Sequence, residues 1–122
     1  MMLGVGIDIC EVSRFDRLKT NQAFLDRVFT QNEQNYCMPK KRSSESLAAR
    51  FAAKEAFSKA VGTGISNGIS LDEIEIINDE LGRPSICLSG KTKETIEKNG
   101  IIKIHVTISH EKSLAVAVVI IE

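Results

Sequence analysis

Two carboxylates on different predicted elements are the residues of this chain best suited to hold a metal ion. Asp8 lies near the end of an apolar stretch that predicts a β-strand, and Glu55 lies within an alanine-rich stretch that predicts a helix. Carboxylates on rigid elements suit Mg²⁺, which takes one or two of them and leaves its other positions to water and phosphate oxygens. The spacing also fits ordinary structural roles, with Asp8 capping a loop and Glu55 paired to Lys59 one turn further on, and spacing alone favours these.

Basic side chains near Glu55 in the sequence favour a functional site over purely structural roles, namely a site that binds phosphate groups. They are Lys41, Arg42, Arg50, Lys54 and Lys59. Cations of this kind can hold several phosphates while a metal holds a pyrophosphate. The turn Gly62-Thr63-Gly64 is a weak phosphate signal, because it follows its helix and lacks the Gly-x-x-x-x-Gly-Lys-Ser/Thr pattern. A simple helix stop is the favoured interpretation of that turn.

The helix that carries Glu55 is the most strongly predicted element. Residues 46–61 contain no Gly or Pro and are rich in alanine, and Gly62 follows as a natural C-cap. Alanine recurs every four residues along one side, which lets another element approach the helix closely. These alanines are Ala48, Ala52, Ala56 and Ala60.

Alternation and turn residues predict the elements that surround this helix. Leu3, Val5, Ile7 and Ile9 predict a strand over 3–10 with one apolar face. Short helices are predicted over 13–18, 21–28 and 30–38, the first with a cap formed by Ser13 and Asp16 and the third with the capping box Thr30-x-x-Glu33. Strands at 71–77 and 85–88 flank a turn, a helix covers 91–98, and strands at 101–109 and 114–121 form a closing hairpin. The fold class is therefore α+β: an antiparallel sheet with a central alanine-rich helix and short additional helices, in one domain over 1–122.

Composition excludes several classes of protein. Hydrophobic residues make up 43% and charged residues 26%, which is typical of a globular chain. No apolar run approaches the roughly 20 residues of a membrane helix, and the N-terminal stretch lacks the basic start of a signal peptide, so we expect a cytoplasmic protein. Residues 1–62 carry ten Lys and Arg against seven Asp and Glu, too weak an excess for a dedicated nucleic-acid-binding protein. Neither a nucleic acid nor a membrane is an expected partner.

The three cysteines indicate reduced thiols. Cys10, Cys37 and Cys87 are odd in number, far apart and never in a Cys-x-x-Cys pair, so the sequence predicts neither a disulfide framework nor a zinc site. We expect all three to be buried.

Four stretches of the chain, in the right order and over nearly its whole length, resemble one known family. They are residues 6–14 around Asp8, the run from Arg50 to Ile65, Asn78 with Gly82-Arg83-Pro84, and Ser109-His110 before an Ala-Val strand. Together they resemble the small bacterial 4′-phosphopantetheinyl transferases, the holo-[acyl-carrier-protein] synthase family.

This resemblance implies a reaction and a set of site residues. The reaction moves the 4′-phosphopantetheine arm of coenzyme A to a serine of apo-acyl carrier protein in fatty acid biosynthesis and releases adenosine 3′,5′-bisphosphate. Asp8 and Glu55 match the family's Mg²⁺ ligands and, with Lys59, its catalytic residues. The implied coenzyme A-binding residues are Lys41, Arg42, Arg50, Lys59, Gly62, Gly64, Gly82, Arg83, Pro84 and His110. A metal-bound water or Glu55 itself could take the serine proton, and the sequence does not decide between them.

The resemblance also implies partners. The family forms homotrimers with sites at subunit interfaces, and its carrier protein is strongly acidic. Arg14 and Arg17 lie three residues apart on a predicted short helix and supply a basic face for that carrier, whereas Lys19 and Arg27 are better explained as ordinary solvated residues. Two other functions would use the same residues: a Mg²⁺-dependent coenzyme A phosphohydrolase, with water as nucleophile, and a non-catalytic coenzyme A-binding module.

Overall fold

The helix predicted around Glu55 is the centre of the fold in the computed structural model, which describes residues 1–62 and 68–122. Within that part of the chain the elements are β1 (Gly4–Glu11), α1 (Arg14–Leu18), α2 (Gln22–Val28), α3 (Gln31–Cys37), α4 (Ser43–Val61), β2 (Ile74–Asn78), β3 (Pro84–Leu88), α5 (Gly90–Lys98), β4 (Ile104–His110) and β5 (Leu114–Ile121). A short 3₁₀ turn, Leu71–Glu73, precedes β2.

Helix α4 is covered on almost every side. It packs against β1 and β5 of the main sheet and also touches α1, α3, β2 and β4. Its 19 residues begin at Ser43, three residues earlier than predicted, and end at Gly62, whose φ of 84° lies in the left-handed region. Since glycine adopts that region without steric cost, the predicted C-cap is confirmed. The consequence of the wide coverage is that polar residues of α4 are buried along with its alanines.

Two antiparallel sheets surround this helix. The main sheet has the strand order β1-β5-β4, and β2 and β3 form a separate hairpin whose second strand packs beside β4. In the turn of that hairpin, the Asp79 carboxylate accepts hydrogen bonds from the backbone N–H groups of Leu81 and Arg83, and Gly82 has a φ of 85°. The predicted antiparallel α+β architecture is confirmed.

Strand β1 lies directly on α4 because its inward residues are small. Gly6 and Gly4 face the helix at its alanine ridge. A β-carbon at Gly6 would lie 2.0 Å from the carbonyl oxygen of Ala56, and one at Gly4 would lie 2.1 Å from that of Ala60. The close approach that the alanine spacing predicts is therefore present, and β1 is the element that makes it.

The apolar face of β1 points away from the core. The outward side chains of Val5, Ile7 and Ile9 are 58%, 59% and 64% exposed. They lie beside the half-buried Ile120, Val118 and Val116 of β5, with which they are in register. We call these six residues the outer sheet face. The predicted alternation is correct, but the glycines, Asp8 and Cys10 face the helix, and the large apolar residues face outwards.

Of the two helix caps predicted from the sequence, one is confirmed and one is wrong. The capping box of α3 is confirmed, since Thr30 accepts from the Glu33 backbone and Glu33 accepts from the Thr30 backbone. The cap predicted from Ser13 and Asp16 is wrong, because Ser13 makes no capping bond and the Asp16 carboxylate accepts from the Ser44 hydroxyl at 2.6 Å on α4.

The predictions about the cysteines are partly confirmed. All three cysteines are free; Cys10 and Cys37 are buried as predicted, but Cys87 is exposed, because its position on β3 faces solvent. None of the helices in residues 1–62 and 68–122 is both long and apolar enough to cross a membrane.

Candidate active site

The structure brings Asp8, Glu55 and Lys59 together where β1 crosses α4. Asp8 occupies the inward position of β1 that follows Gly6, so the close packing of that strand places its carboxylate against the helix. The ammonium of Lys59 donates to Asp8 Oδ1 at 3.0 Å and to the carbonyl oxygen of Ile7 at 3.0 Å. This is the meeting of strand-borne and helix-borne groups that the sequence anticipates.

Glu55 is partly buried and lies within electrostatic range of Asp8. Partial burial, and after it the negative charge of Asp8, raise the pKa of Glu55 above its usual value, whereas Lys59 and Arg14 oppose the shift. Two carboxylates that repel each other across a half-buried space provide oxygen ligands for a hard cation.

The donor set fits Mg²⁺ better than a metal that needs a closed cage of protein ligands. Across residues 1–62 and 68–122, no three His, Cys, Asp or Glu side chains cluster closely enough to hold an ion. Mg²⁺ is commonly bound through one or two carboxylates, with water and substrate phosphate as its remaining ligands. Asp8 and Glu55 could supply that pair.

A cavity of about 330 Å³ lies beside α4, between α3, β4 and the β2–β3 turn. Five of the predicted coenzyme A-binding residues line it: Arg42, Arg50, Gly82, Pro84 and His110. The rest of its polar and aromatic lining comes from Tyr36, Lys40, Glu45, Ser46 and Asn78. Its size lies within the usual range for small-molecule sites, and its charged groups are mostly cationic, which favours an anionic ligand.

Arg50 is a buried residue in the wall of this cavity. Its guanidinium lies 4.4 Å from the ring centre of Tyr36 and donates to the Asn78 amide oxygen, and Asn78 in turn donates to the Gly82 carbonyl at 3.0 Å. Its Nε lies 4.0 Å from a Glu33 oxygen and has no hydrogen-bond partner in the described part of the chain. Arg50 therefore ties α4 to the β2–β3 turn as well as lining the cavity.

Lys54 is not one of the phosphate-binding cations, so that expectation is wrong. Its side chain is fully buried, with the ammonium 2.7 Å from a Glu33 oxygen and donating to the carbonyl oxygens of Leu71 and Ile74. Burial lowers the pKa of Lys54, an effect that Glu33 opposes. Lys54 precedes Glu55 directly in the sequence, but the two side chains leave the helix in different directions. That of Lys54 points towards α3 and β2.

Glu33 is the residue of this region whose role sequence reasoning missed. The capping box identifies it as the cap of α3 only. Its second oxygen accepts from the backbone N–H of Ile76 at 2.9 Å, so a single carboxylate joins α3, α4 and β2. No spacing signal connects these elements before the chain folds.

The lining of the cavity does not include the predicted binding residues Lys41, Gly62 and Arg83. Lys41 lies with Lys19, Arg42 and Lys112 at a smaller hollow of about 240 Å³ beside the start of α4. Gly62 is the C-cap of α4, and Arg83 lies in the β2–β3 turn; neither is among the residues that line the cavity. Gly64 lies outside the described residues.

Of the two predicted docking residues, Arg14 lies near the carboxylate pair. Arg14 is the first residue of α1, and its guanidinium lies 5.8 Å from the ring centre of Phe51 on α4. Its positive charge opposes the rise in the pKa of Glu55. Arg17, one turn further on in α1, is exposed.

His110 is the last residue of β4, so this strand ends one residue later than the strand predicted over 101–109. Its Nδ1 lies 2.6 Å from Oε1 of Glu45, a residue in the first turn of α4 that the sequence does not single out. The two residues are 65 positions apart, and no motif links them.

Comparison with known proteins identifies the class. The model of the 4′-phosphopantetheinyl transferase superfamily matches residues 4–119. The chain belongs to this superfamily.

Within the superfamily, this chain is similar to the holo-[acyl-carrier-protein] synthases. The synthase of Trichlorobacter lovleyi is 49% identical over 124 residues, which cover 100% of this chain and 98% of the relative. That of Treponema denticola is 46% identical over 123 residues, covering 100% and 99%. The resemblance drawn from the sequence motifs is confirmed, and so is the prediction that the chain is a phosphopantetheinyl transferase.

Solved structures agree with this assignment. The synthase of Neisseria meningitidis matches with a TM-score of 0.91 at 38% identity, covering 100% of this chain and 99% of that one. The Bacillus anthracis synthase in complex with CoA (3′,5′-ADP) matches with a TM-score of 0.81 at 42% identity, covering 99% and 96%. The Helicobacter pylori synthase in complex with coenzyme A matches with a TM-score of 0.84 at 34% identity, covering 97% and 99%.

Proposed function

We propose that this enzyme transfers the 4′-phosphopantetheine arm of coenzyme A to a serine of apo-acyl carrier protein, with release of adenosine 3′,5′-bisphosphate, in fatty acid biosynthesis. The observation that carries the proposal is the meeting of Asp8, Glu55 and Lys59 on β1 and α4, on the helix that also lines the cationic cavity. The relatives solved with coenzyme A support the choice of donor.

The carboxylate pair is the proposed magnesium site. Asp8 and Glu55 would hold the ion, and their mutual repulsion supports this assignment. When bound there, Mg²⁺ neutralises the charge that develops on the pyrophosphate oxygens as the serine attacks phosphorus. Lys59, with its ammonium beside Asp8 and its side chain more than half exposed, donates to the leaving phosphate.

The cavity is the proposed site of the adenosine bisphosphate. Arg42 and Lys40 bring positive charge to its rim, and Gly82 and Pro84 provide a close backbone wall. Arg50 acts from within this wall, since its guanidinium is already held by Tyr36 and Asn78. Lys41, in the adjoining hollow, extends the cationic surface around the start of α4.

The acyl carrier protein is proposed to dock on α1. Arg14 is close enough to Glu55 to influence its pKa, so an acidic partner held by Arg14 and Arg17 would lie next to the carboxylate pair. This arrangement brings the carrier's serine to the phosphorus under attack.

The outer sheet face supports self-association of the chain, which we propose to be a homotrimer. A contiguous patch of large apolar side chains marks an interaction surface, because burying it against a partner releases water from it. Val5, Ile7 and Ile9 are each more than half exposed in the single chain, and β5 continues the patch. Copies of the chain that share this face would bring their sites close to the subunit boundaries.

The proposal extends to a single domain over residues 1–122 and a cytoplasmic location. The family match over residues 4–119 supports the first. Three free thiols, with Cys87 exposed, support a reducing compartment.

Mass spectrometry of apo-acyl carrier protein incubated with coenzyme A, Mg²⁺ and the enzyme tests the reaction directly. We expect a gain of one phosphopantetheine mass on the carrier, which disappears with Glu55→Gln. Coenzyme A cleavage in the absence of carrier would instead indicate a phosphohydrolase. Coenzyme A binding without any turnover would indicate a binding module.

A further inference from the structure

We propose that Glu45 is a positioning residue for the nucleotide, acting by holding the imidazole of His110 at the wall of the cavity. The inference rests on the proposed function, because it assigns a role within the coenzyme A site. It concerns a carboxylate that the sequence motifs do not include and that lines a cavity proposed for an anion.

The contact between the two residues joins two elements across the cavity. His110 Nδ1 lies 2.6 Å from Glu45 Oε1, and the two residues belong to the end of β4 and the first turn of α4. A carboxylate only accepts hydrogen bonds, so Nδ1 is the donor and carries a proton. The remaining ring nitrogen, Nε2, is thereby directed away from Glu45 and is free to contact a ligand.

The difference in exposure shows which partner holds the other. The side chain of Glu45 is 10% exposed and that of His110 is 46% exposed. Packing therefore fixes the carboxylate, whereas the imidazole at the cavity surface would be free to rotate without it. Holding one ring orientation before the ligand arrives lowers the entropy lost on binding.

The same carboxylate restrains a second group of the cavity. Oε2 of Glu45 lies 3.8 Å from Nη1 of Arg42, whose side chain is 72% exposed. One oxygen of Glu45 therefore faces His110 and the other faces Arg42, so both oxygens of the carboxylate already have partners within the protein. Lys40 and Arg50 are the other charged groups that line the cavity.

Because Glu45 lies at a proposed anion site, the direction in which nucleotide affinity changes on its removal is informative. A carboxylate without a positioning role would only repel the phosphates, so its removal would tighten binding. A carboxylate that orients His110 would weaken binding when it is removed. The two interpretations predict opposite effects of Glu45→Ala.

The experiment measures binding of adenosine 3′,5′-bisphosphate by calorimetry, together with KM for coenzyme A and kcat, for wild type and five variants. The variants are Glu45→Ala, Glu45→Gln, His110→Ala, His110→Asn and the double variant Glu45→Ala/His110→Ala. Glutamine keeps an oxygen that can accept from Nδ1 and removes the charge, so it controls for the effect of a carboxylate in the first turn of α4. Asparagine places an N–H near Nδ1 and keeps the bond to Glu45, but it has no counterpart of Nε2.

We expect Glu45→Ala to weaken nucleotide binding and to raise KM for coenzyme A by about five- to tenfold, the value of one well-placed hydrogen bond, with little change in kcat. Glu45→Gln should bind within about twofold of wild type, since its amide oxygen retains one neutral hydrogen bond. His110→Ala and His110→Asn should lose as much as Glu45→Ala. The double variant should lose no more than His110→Ala, because Glu45 acts through that ring.

Three results would overturn the inference: tighter or unchanged binding in Glu45→Ala, multiplicative losses in the double variant, or wild-type binding in His110→Asn. If Glu45→Ala fails to fold, His110→Asn keeps the inference falsifiable, because wild-type binding in that variant would show that Nε2 makes no contact with the nucleotide. The wild-type protein separates this inference from the function beneath it. If wild type modifies the carrier but these variants behave as in the three results above, the inference alone is wrong; if wild type neither binds the nucleotide nor modifies the carrier, both are wrong.

Discussion

Gly6 of β1 faces Ala56 of α4 so closely that a β-carbon at residue 6 would lie 2.0 Å from the Ala56 carbonyl oxygen. Because that oxygen belongs to the helix backbone, no side-chain rotation can relieve the overlap. The contact fixes the height of β1 above the helix, and the next inward residue, Asp8, comes to lie against Lys59. The packing of two small residues thus sets the geometry of the carboxylate pair.

We therefore expect Gly6→Ala to destabilise the protein by about 3 kcal/mol, at the upper end of overpacked substitutions, and to lower activity along with stability. Urea denaturation followed by circular dichroism measures the change. Glu11→Ala, at an exposed position near the end of the same strand, is the control and should stay within about 0.5 kcal/mol of wild type. A Gly6→Ala protein as stable as wild type would show that β1 and α4 can separate at no cost.

Glu55→Gln should abolish transfer and yet stabilise the protein in magnesium-free buffer. The amide lacks the anionic oxygen that a hard cation prefers, so we expect kcat/KM to fall by at least about 100-fold at saturating Mg²⁺. Glu97→Gln on the exposed face of α5 is the matched control. Turnover within a few-fold of wild type would remove Glu55 from the ligand set.

The stability of Glu55→Gln follows from the raised pKa of Glu55. Burial and the charge of Asp8 place the pKa of the folded state above the usual 4.5. Ionised Glu55 therefore opposes folding, and this cost develops as the pH rises from the unfolded pKa through the folded one. Relative to Glu55→Gln, the melting temperature of wild type without Mg²⁺ should fall over the pH range that starts near the usual pKa of 4.5 and extends upwards. A constant difference across that range would show that Glu55 is not perturbed.

Lys54 and Lys59 should give opposite results when each is replaced by methionine. Lys54→Met leaves the buried Glu33 without its partner and should cost about 3–5 kcal/mol of stability. Adding Glu33→Gln to it should restore part of that loss. Lys59→Met, at an exposed side chain, should leave stability within about 0.5 kcal/mol and lower kcat. Thermal melts and transfer assays on the three proteins would contradict this division if Lys54→Met melted like wild type.

Ile9→Lys should separate the copies of the chain without unfolding them. Ile9 is 64% exposed in the single chain, so a lysine is tolerated there, but a charge in the centre of a buried interface is not. Sedimentation velocity should show a trimer for wild type and a monomer for Ile9→Lys, with activity lost as well if subunits share a site. Ile102→Lys, at an exposed residue before β4, is the control. A fully active wild-type monomer would contradict the proposed assembly and leave the chemistry unchanged.

Arg14→Glu should weaken recognition of the carrier protein specifically. Reversing this charge beside the carboxylate pair should raise KM for acyl carrier protein by about tenfold at low salt, and KM for coenzyme A should change little. The defect should shrink as salt increases, because screening weakens the wild-type attraction. Arg27→Glu, on α2, is the matched control and should have little effect. Unchanged carrier kinetics for Arg14→Glu at low salt would move the docking surface elsewhere.

The elements with local sequence signals could be predicted before the structure was known. The alanine-rich run and Gly62 define the core and end of α4, the Thr30 and Glu33 pair defines the cap of α3, and the alternation in residues 3–10 defines β1. The motif around Glu55, being specific in itself, also identified the family. Each of these signals lies within one element or one turn, where backbone geometry relates spacing directly to structure.

Which faces are covered and which distant residues meet depends on how the elements pack together. Period two shows that Val5 and Ile7 share a face of β1, but the clearance that Gly6 gives to Ala56 is what turns that face outwards. Lys54 carries the same charge as Lys59, and its burial beside Glu33 makes it structural. Glu45 and His110 are 65 residues apart, so their contact depends on how β4 is placed over α4, which no local periodicity encodes.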